Sequence, residues 1–399
     1  MTVRLDISPA LLRWACERMG WTADDATERF PKFMDWVAPV EGERIGPTLK
    51  QLEKFANQTR TPIGYFFLQE PPRDAVPIPD LRTVRDQEVV RASPDMLETI
   101  YVCQQRQHWY RQNALIHGEA PLDFVGSLKT SMKAEKAAGV IATALGFDVQ
   151  SRTTMKDWNT ALRSFAEQAE QLGVLVMVNG IVGSNSHCKL DPGEFRGFAL
   201  VDDLAPLLFI NGADAKAAQM FTLAHELAHI WLGETALSDV SPKHESNSRV
   251  EKWCNAVAAE LLVPRDELMA RLSTVQGSPT LDDAKRMARD FKVSSLVMLR
   301  RLLTVGAMSR DEMWRLYRQE EERIAKEKAR RDGGGDYYRT QKGRVSPRFA
   351  RAVYTSAWEG RESFSEAMRL LSIRTMDTFE KFGESVGIER GFASAEATP

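Results

Sequence analysis

The chain has 399 residues, of which 43% are apolar and 27% are charged, and its formal net charge is −2. These are globular values for a chain too long to form one ordinary domain. A near-neutral chain is unlike proteins that coat nucleic acids with a generic basic surface. The four cysteines have no paired spacing, so neither a disulfide framework nor a cysteine metal site is indicated. Because no apolar run resembles a signal peptide or membrane span, the sequence predicts a cytoplasmic protein that does not bind membranes.

Residues 1–75 are predicted to form a compact bundle of short helices. Pro, Ser, Thr and Gly punctuate amphipathic runs at 9–20, 22–30, 31–38 and 48–58. A DNA reader needs polar side chains for base edges and cations for phosphates. The module contains ten Lys or Arg residues against eleven Asp or Glu residues, and the candidate recognition segment offers only Lys32 and Asp35. The DNA-binding residues are therefore unknown, and both operator binding and protein docking remain open.

The segments on either side of the central region are also distinctive. Between residues 76 and 128, a Pro-rich connector leads into a predicted long helix at 94–117. Residues 309–399 combine a strongly charged helix with two or three amphipathic helices. Charged runs of this kind usually form a solvated helix face.

Short strands are predicted ahead of residue 212. β-Branched and aromatic residues cluster at 174–178, 197–201 and 206–210, separated by Gly, Asn, Asp and Pro. These runs indicate a small sheet. An extended peptide can add to the free edge of such a sheet, which would hold a scissile bond near a catalytic group. A purely structural sheet is the alternative.

The most informative motif is His-Glu-Leu-Ala-His at residues 225–229, in a run without Gly or Pro that ends at Gly233. On a helix, this spacing places both imidazoles on one face, where they can bind one Zn²⁺. Glu226 lies beside them and can act as the general base of a hydrolase. The flanking apolar residues predict a buried helix, in which two histidines one turn apart are costly without a metal. Ordinary core histidines are the alternative.

A zinc hydrolase of this type needs a third protein ligand and an open position for water. Leu232 and Thr235 replace the Gly and His of the extended three-histidine signature, so the ligand must come from farther along the chain. The candidates are Asp239, His244, Glu245, Glu251 and Glu260. We favour Glu251, because it lies on a predicted helix with a small apolar face, where a lone carboxylate needs a metal as partner. A capping or salt-bridging role for Glu251 is the alternative.

At these motifs the sequence resembles the ImmA/IrrE zinc metallopeptidases. The resemblance rests on Phe-Thr-Leu-Ala-His-Glu-Leu-Ala-His at 221–229, on the helix that begins at Glu251, and on Phe-Arg-Gly-Phe-Ala-Leu-Val at 195–201. It covers roughly residues 130 to 305. The resemblance implies Zn²⁺ as cofactor, His225, His229 and Glu251 as metal ligands, and Glu226 as the catalytic base. It also implies a protein substrate, such as a transcriptional repressor.

The N-terminal module resembles the helix-turn-helix of Xre/Cro-type repressors at residues 47–56 and 62–67. The whole arrangement is similar to Xre-plus-peptidase proteins that act as antitoxins beside small toxins. The predicted fold is therefore α+β and mostly helical. It comprises a helix-turn-helix module (1–75), a connector with a long helix (76–128), a zincin-like peptidase domain with a small sheet and the metal-binding helix (129–308), and a charged helix with a helical C-terminal region (309–399).

Two functions are compatible with these features. The first is a zinc-dependent endopeptidase that cleaves a transcriptional regulator or other protein partner in a bacterial or phage stress or toxin–antitoxin setting. The second is a non-catalytic antitoxin or regulator that binds a toxin protein or operator DNA. An intact Glu226 favours catalysis, because a structural metal site does not require that carboxylate. The sequence leaves open whether the chain forms a homodimer.

Overall fold

The computed structural model describes residues 3–39, 44–72, 76–79, 92–238, 248–328 and 343–388. Among these residues, those up to Pro77 and from 92 to Ile100 form one compact unit. Ile78, Pro79 and the residues from Tyr101 onward form the other. The chain is mostly helical with a small mixed sheet, which confirms the predicted α+β class. Within the described residues, no helix combines the length and apolar character that crossing a membrane requires.

The first unit is a small helical bundle. Its helices are α1 (Pro9–Arg18), α2 (Ala23–Arg29), α3 (Phe33–Val37), α4 (Leu49–Gln58) and a 3₁₀ helix (Ile63–Phe67). The side chains of Thr22 and Thr48 accept hydrogen bonds from backbone N–H groups in the first turns of α2 and α4, forming capping boxes. Phe55 lies at the centre of an aromatic core and packs within 5.2 Å of Phe30, ring centroid to ring centroid. The predicted series of short helices is therefore confirmed.

The second unit contains the remaining helices. They are the later part of α5 (Pro94–Ile116), then α6 (Ala134–Leu145), α7 (Val149–Thr154), α8 (Trp158–Gln171), α9 (Lys216–Leu232), α10 (Arg249–Leu262), α11 (Arg265–Leu272), α12 (Leu281–Phe291), α13 (Ser295–Thr304), α14 (Arg310–Lys328), α15 (Pro347–Trp358), α16 (Phe364–Leu370) and α17 (Met376–Ser385). The predicted long helix and the predicted amphipathic helices near the C terminus are confirmed.

A mixed sheet of four strands lies in the second unit, in the order β1, β5, β4, β6. These strands are β1 (Leu175–Asn179), β4 (Gly197–Leu200), β5 (Leu207–Asn211) and β6 (Ala236–Ser238), and β2 (Ile181–Val182) pairs with β3 (Asn185–Lys189) in a separate hairpin. β1 is parallel to β5, whereas β4 is antiparallel to both of its neighbours. The three predicted strands are confirmed. The sequence did not indicate β2, β3 or β6, because these are too short or too polar to show strand periodicity.

Helix α9 packs against β4 and β5, and α10 packs against α9. The C terminus of α9 is closed by Gly233, whose φ of +81° lies in the left-handed region that favours glycine. A Cβ at this position would lie only 2.9 Å from the Cα of Gly126, so a larger residue would also clash. The backbone N–H groups of Gly126 and Leu128 donate to the last carbonyls of α9 at Ile230 and Trp231. These contacts fix the end of the helix that carries the histidine motif.

Two buried guanidinium groups hold the C terminus of α10. Arg152 donates to the carbonyl oxygens of Leu262 (2.9 Å) and Phe291 (3.1 Å), the last residues of α10 and α12. Arg301 donates to Val263 at 2.9 Å. The carbonyl ends of helices carry partial negative charge, so these cations stabilise them. The arrangement fixes α10 relative to the rest of the second unit.

The charged helix α14 departs from its predicted role as a solvated face. Glu320 is fully buried and accepts hydrogen bonds from Ser295 Oγ (2.7 Å) and Arg323 Nε (2.8 Å). Its carboxylate also lies 3.2 Å from Lys285 Nζ. Met313 is buried on the same helix. The sequence did not indicate that one side of α14 is buried, because Glu320, which anchors that side, is itself charged.

The C-terminal helices also pack on the second unit. Arg106 of α5 is buried and donates to Leu370 O (2.9 Å) and to Ser372 Oγ (3.0 Å). The buried carboxylate of Glu170 accepts a hydrogen bond from the backbone N–H of Arg348 at 2.9 Å. Buried polar groups without partners are costly, so these bonds determine where the C-terminal helices lie.

Candidate metal centre

Three polar residues of the predicted motif lie on the inner face of α9. His225, Glu226 and His229 are each fully buried, and apart from Thr222 the helix around them is apolar from Met220 to Trp231. A spacing of four residues brings the two imidazoles to one face, with their Nε2 atoms 3.1 Å apart. The structure therefore brings the two histidines together as the sequence predicted.

Helix α10 brings Glu251 to the same point. Its Oε1 lies 3.1 Å from His229 Nε2, and its Oε2 lies 3.3 Å from His225 Nε2. Glu251 is only 1% exposed and occupies the first turn of α10, after the N-cap residue Ser248. One donor atom from each of the three residues lies within 4.8 Å of the others.

The donor atoms are close enough together to share one metal ion. Ligands at the usual Zn–N and Zn–O distances of about 2.0 to 2.1 Å lie about 3.3 Å from one another in a tetrahedron. The two Nε2 atoms are 3.1 Å apart, and each faces a different oxygen of Glu251: His229 lies 3.1 Å from Oε1 and His225 lies 3.3 Å from Oε2. Two imidazoles and one carboxylate are a typical ligand set for catalytic zinc, which leaves a fourth position for water or substrate.

The electrostatics of the site also suit a cation. Burial raises the pKa of the Glu251 carboxyl, but the two adjacent imidazoles outweigh this effect and bring the pKa down to about 2. Burial lowers the pKa of the His229 imidazole, which favours the neutral form that binds metals. Burial, with the nearby carboxylates of Glu251 and Glu226, raises the pKa of the Cys254 thiol well above its usual value. Two buried carboxylates thus give the site a negative potential.

Asn255 orients the first histidine. The Nδ1–H of His225 donates to Asn255 Oδ1 at 3.1 Å, and Asn255 lies one turn after Glu251 on α10. This bond keeps the proton on Nδ1 and leaves the Nε2 lone pair directed at the cluster. Asn255 and Glu251 are four residues apart in the sequence, which gave no sign of this contact, because it depends on how α10 packs on α9.

Gly197 of β4 lies next to Glu226. A Cβ built on Gly197 would lie 3.1 Å from Glu226 Oε1, 2.6 Å from Thr222 Cγ2 and 2.8 Å from Phe209 O. A side chain at position 197 would clash with these atoms. Glycine therefore allows β4 to pack closely against α9. The glycine of the predicted strand was visible in the sequence, but its role appears only once strand and helix are packed.

The other predicted candidates are accounted for as follows. Glu260 does not approach the histidines, because it pairs with Arg301 and accepts a hydrogen bond from the backbone N–H of Arg265 (2.8 Å). Three further candidates, Asp239, His244 and Glu245, lie outside the described residues. In the first unit, Lys32 and Asp35 are exposed, while the other side chains of α3 are mostly buried.

The family comparisons match two parts of the chain. Residues 169–303 match the family model Peptidase_M78, described as an IrrE N-terminal-like domain. Residues 345–385 match a domain of unknown function, DUF8813. A search of curated proteins gave no match. The first segment contains the four-stranded sheet, α9, α10 and the buried His-His-Glu cluster. Over residues 169–303, this chain is therefore similar to metal-dependent peptidases with an IrrE N-terminal-like domain.

Proposed function

We propose that this protein is a zinc-dependent endopeptidase. The observation that carries the proposal is the buried cluster of His225, His229 and Glu251, with Glu226 on the same helix, inside a segment similar to Peptidase_M78. A structural site would be closed by a fourth protein ligand, whereas three ligands leave one position for chemistry. Among the described residues, no fourth His, Cys, Asp or Glu joins the cluster.

The residues of the site can divide the work of peptide hydrolysis. When bound, Zn²⁺ supplies Lewis-acid chemistry that polarises the scissile carbonyl and promotes the ionisation of water. The Glu226 carboxylate accepts a proton from the attacking water as the water oxygen bonds to the carbonyl carbon. It then passes that proton to the amine nitrogen as the C–N bond breaks. Asn255 holds His225 in one tautomer throughout, and burial of all four groups keeps bulk water from competing.

We propose a protein substrate, in particular a transcriptional regulator in a bacterial or phage stress or toxin–antitoxin setting. This choice is supported by the resemblance of the motifs to ImmA/IrrE enzymes and of residues 47–56 to Xre-type modules. The first unit would then serve to recruit the partner. Such recruitment raises the local concentration of the scissile segment without any requirement for tight binding at the metal site.

A second candidate function is partner binding without cleavage, and one observation favours it. The 3₁₀ helix of the first unit and the residue after it expose apolar side chains, including Phe67 at 58% and Leu68 at 44%. Exposed apolar residues in a cluster are typical of protein interfaces rather than of DNA-reading surfaces. On this reading the first unit docks a toxin or repressor protein, and operator binding would require a dimer or the bound partner.

Incubation with each protein encoded by the neighbouring reading frames tests the proposal. We expect the wild-type chain to cut one of them into two fragments detectable by mass spectrometry. The Glu226→Gln variant should bind the same partner and retain zinc, but cleave it about 10² to 10⁴ times more slowly. Equal cleavage by both forms would exclude Glu226 as the base. Stable complex formation without cleavage by the wild type, with zinc bound, would favour the second function.

A further inference from the structure

The outer edge of the sheet beside the metal centre is occupied by the chain itself. β6 is the last strand in the sheet order, and its inner side pairs with β4. On the outer side, the backbone N–H of Leu237 donates to the carbonyl oxygen of Pro79 at 2.9 Å. Pro79 belongs to the Pro-rich connector that precedes α5 in the sequence. The connector therefore makes the kind of backbone contact that an added strand would make.

This edge runs close to the catalytic group. Ser238 of β6 is the register partner of Gly197 of β4, and a Cβ built on Gly197 would lie 3.1 Å from Glu226 Oε1. Neighbouring strands are about 4.8 Å apart, so a peptide on the outer edge of β6 would be two strand spacings from Gly197. A substrate segment bound there would therefore run about 10 Å from Gly197, across β6.

Among the described connector residues 76–79, Ile78 is the most deeply buried. Ile78 is only 6% exposed, and Leu237, to which the connector bonds, is fully buried. Pro79 accepts one hydrogen bond but has no N–H with which to return one. In an added antiparallel strand, a non-proline residue at the same place could also donate to the Leu237 carbonyl. An extended peptide without proline can therefore bind this edge more tightly, residue for residue, than the connector does.

We propose that the outer edge of β6 is the strand that binds the extended segment of a protein substrate, and that Ile78 and Pro79 compete for it from within the same chain. This inference rests on the proposed peptidase function for its physiological role, but the contact itself is independent of catalysis. Displacement of Ile78 and Pro79 would expose the edge to a substrate segment. Their return would displace that segment from the edge. The alternative is that Ile78 and Pro79 only protect the sheet edge from aggregation. In that case a peptide in solution would not replace them.

The test uses the full-length chain with Glu226→Gln, so that no bound peptide is cut. Ile78→Ser removes the apolar anchor, Ile78→Ala weakens it, and Ile78→Val is the matched control that keeps a buried branched side chain. The probe is a fluorescein-labelled peptide with the sequence of residues 76–83, Val-Pro-Ile-Pro-Asp-Leu-Arg-Thr. Its binding is followed by fluorescence anisotropy, and hydrogen exchange is measured at Leu237 with Leu208 of β5 as internal reference.

We expect Ile78→Ser to bind the probe at least about tenfold more tightly than the control does, and to exchange the Leu237 amide about tenfold faster or more. Ile78→Ala should change both quantities in the same direction by less. Addition of the probe to the Ile78→Ser chain should restore protection at Leu237, while Leu208 stays unchanged. Unaltered exchange at Leu237 together with no probe binding by the serine and alanine variants would overturn the proposal.

The same variants separate this inference from the proposed function. In chains that keep Glu226, Ile78→Ser should raise kcat/KM for a protein substrate, because the edge is open more of the time. If the probe binds as expected but no chain cleaves any partner, the peptidase function fails and the edge site stands. If the wild type cleaves its partner and Ile78→Ser alters neither exchange nor binding, the edge proposal fails alone.

Discussion

Helix α9 buries polar side chains among its apolar ones, whereas the buried side chains of α3 are all apolar. On α9 the buried face includes His225, Glu226 and His229, whereas α3 buries Phe33 and Trp36 among other apolar residues. The polar residues beside α3 face the solvent. Apolar burial needs no explanation beyond packing, but polar burial has a free-energy cost that some partner must offset. The buried polar residues of α9 therefore indicate a functional site, whereas the buried residues of α3 indicate only how the first unit packs.

Of the substitutions proposed here, removal of one metal ligand from α9 should have the largest effect on zinc content and activity. We expect His229→Ala to reduce bound zinc from about one ion per chain to almost none, since two ligands cannot retain the metal. Cleavage of the partner should be lost with it. Metal analysis after dialysis measures the first effect. Retention of a full zinc complement by His229→Ala would mean that the ion lies elsewhere.

Gly197→Ala should produce the next largest effect. The added methyl group would meet Thr222 Cγ2 at 2.6 Å and Phe209 O at 2.8 Å, so strand and helix must move apart. Such overpacking costs about 1 to 3 kcal/mol of stability, and a shift of Glu226 of about 1 Å can reduce turnover about 10²-fold. Thermal unfolding and the rate of partner cleavage measure the two effects.

Gly139→Ala is the control for that substitution, because Gly139 lies in helix α6 with open space around its α-carbon. Alanine there should leave cleavage unchanged and raise stability by about 0.5 to 1 kcal/mol. If Gly197→Ala behaves like this control, β4 does not limit the position of Glu226.

Asn255→Ala should have a smaller effect on the metal site. Loss of the acceptor for the His225 Nδ1–H frees the ring orientation and should weaken zinc binding about 10- to 100-fold. Asn255→Asp keeps an oxygen at the same place and should retain the affinity. Competition with a zinc chelator gives both values. Equal zinc affinity in the alanine variant and the wild type would show that packing alone orients His225.

The smallest effect is expected in the first unit. Lys32 is exposed beside α3, so Lys32→Ala should change stability by no more than about 0.5 kcal/mol and leave the zinc content unaltered. Anisotropy titrations with the DNA upstream of the gene, at two salt concentrations, should show only weak binding by either form. Tight, steeply salt-dependent binding that Lys32→Ala weakens would assign DNA contacts to this helix.

The predictability of the two regions differs for a physical reason. His225, Glu226 and His229 could be placed together from sequence because their contacts follow from the pitch of one helix. Glu251 was chosen among five candidates by the pattern of a second helix, and the structure brings it to the histidines. Asn255 and Gly197 could not be assigned roles, since these depend on packing between elements far apart in sequence.

The same limit applies to the fold. Helices with clear caps, such as α2 and α4, were predicted to within a few residues, because the signals are local. β6 was not predicted, since three residues carry too little pattern, and it forms only because β4 offers an edge. The buried ion cluster of Glu320 was missed because charged residues were taken as solvated. Partners far away in sequence decide both β6 and the burial of Glu320.

Zinc content in a matched pair of α10 variants tests the central claim most directly. Glu251 and Glu260 are both buried carboxylates on this helix, but only Glu251 lies at the histidines, while Glu260 pairs with Arg301. We predict about one zinc ion per chain in the wild type and in Glu260→Gln, and a large loss in Glu251→Gln. Absence of zinc from carefully prepared wild-type protein, or loss in Glu260→Gln with retention in Glu251→Gln, would contradict the account.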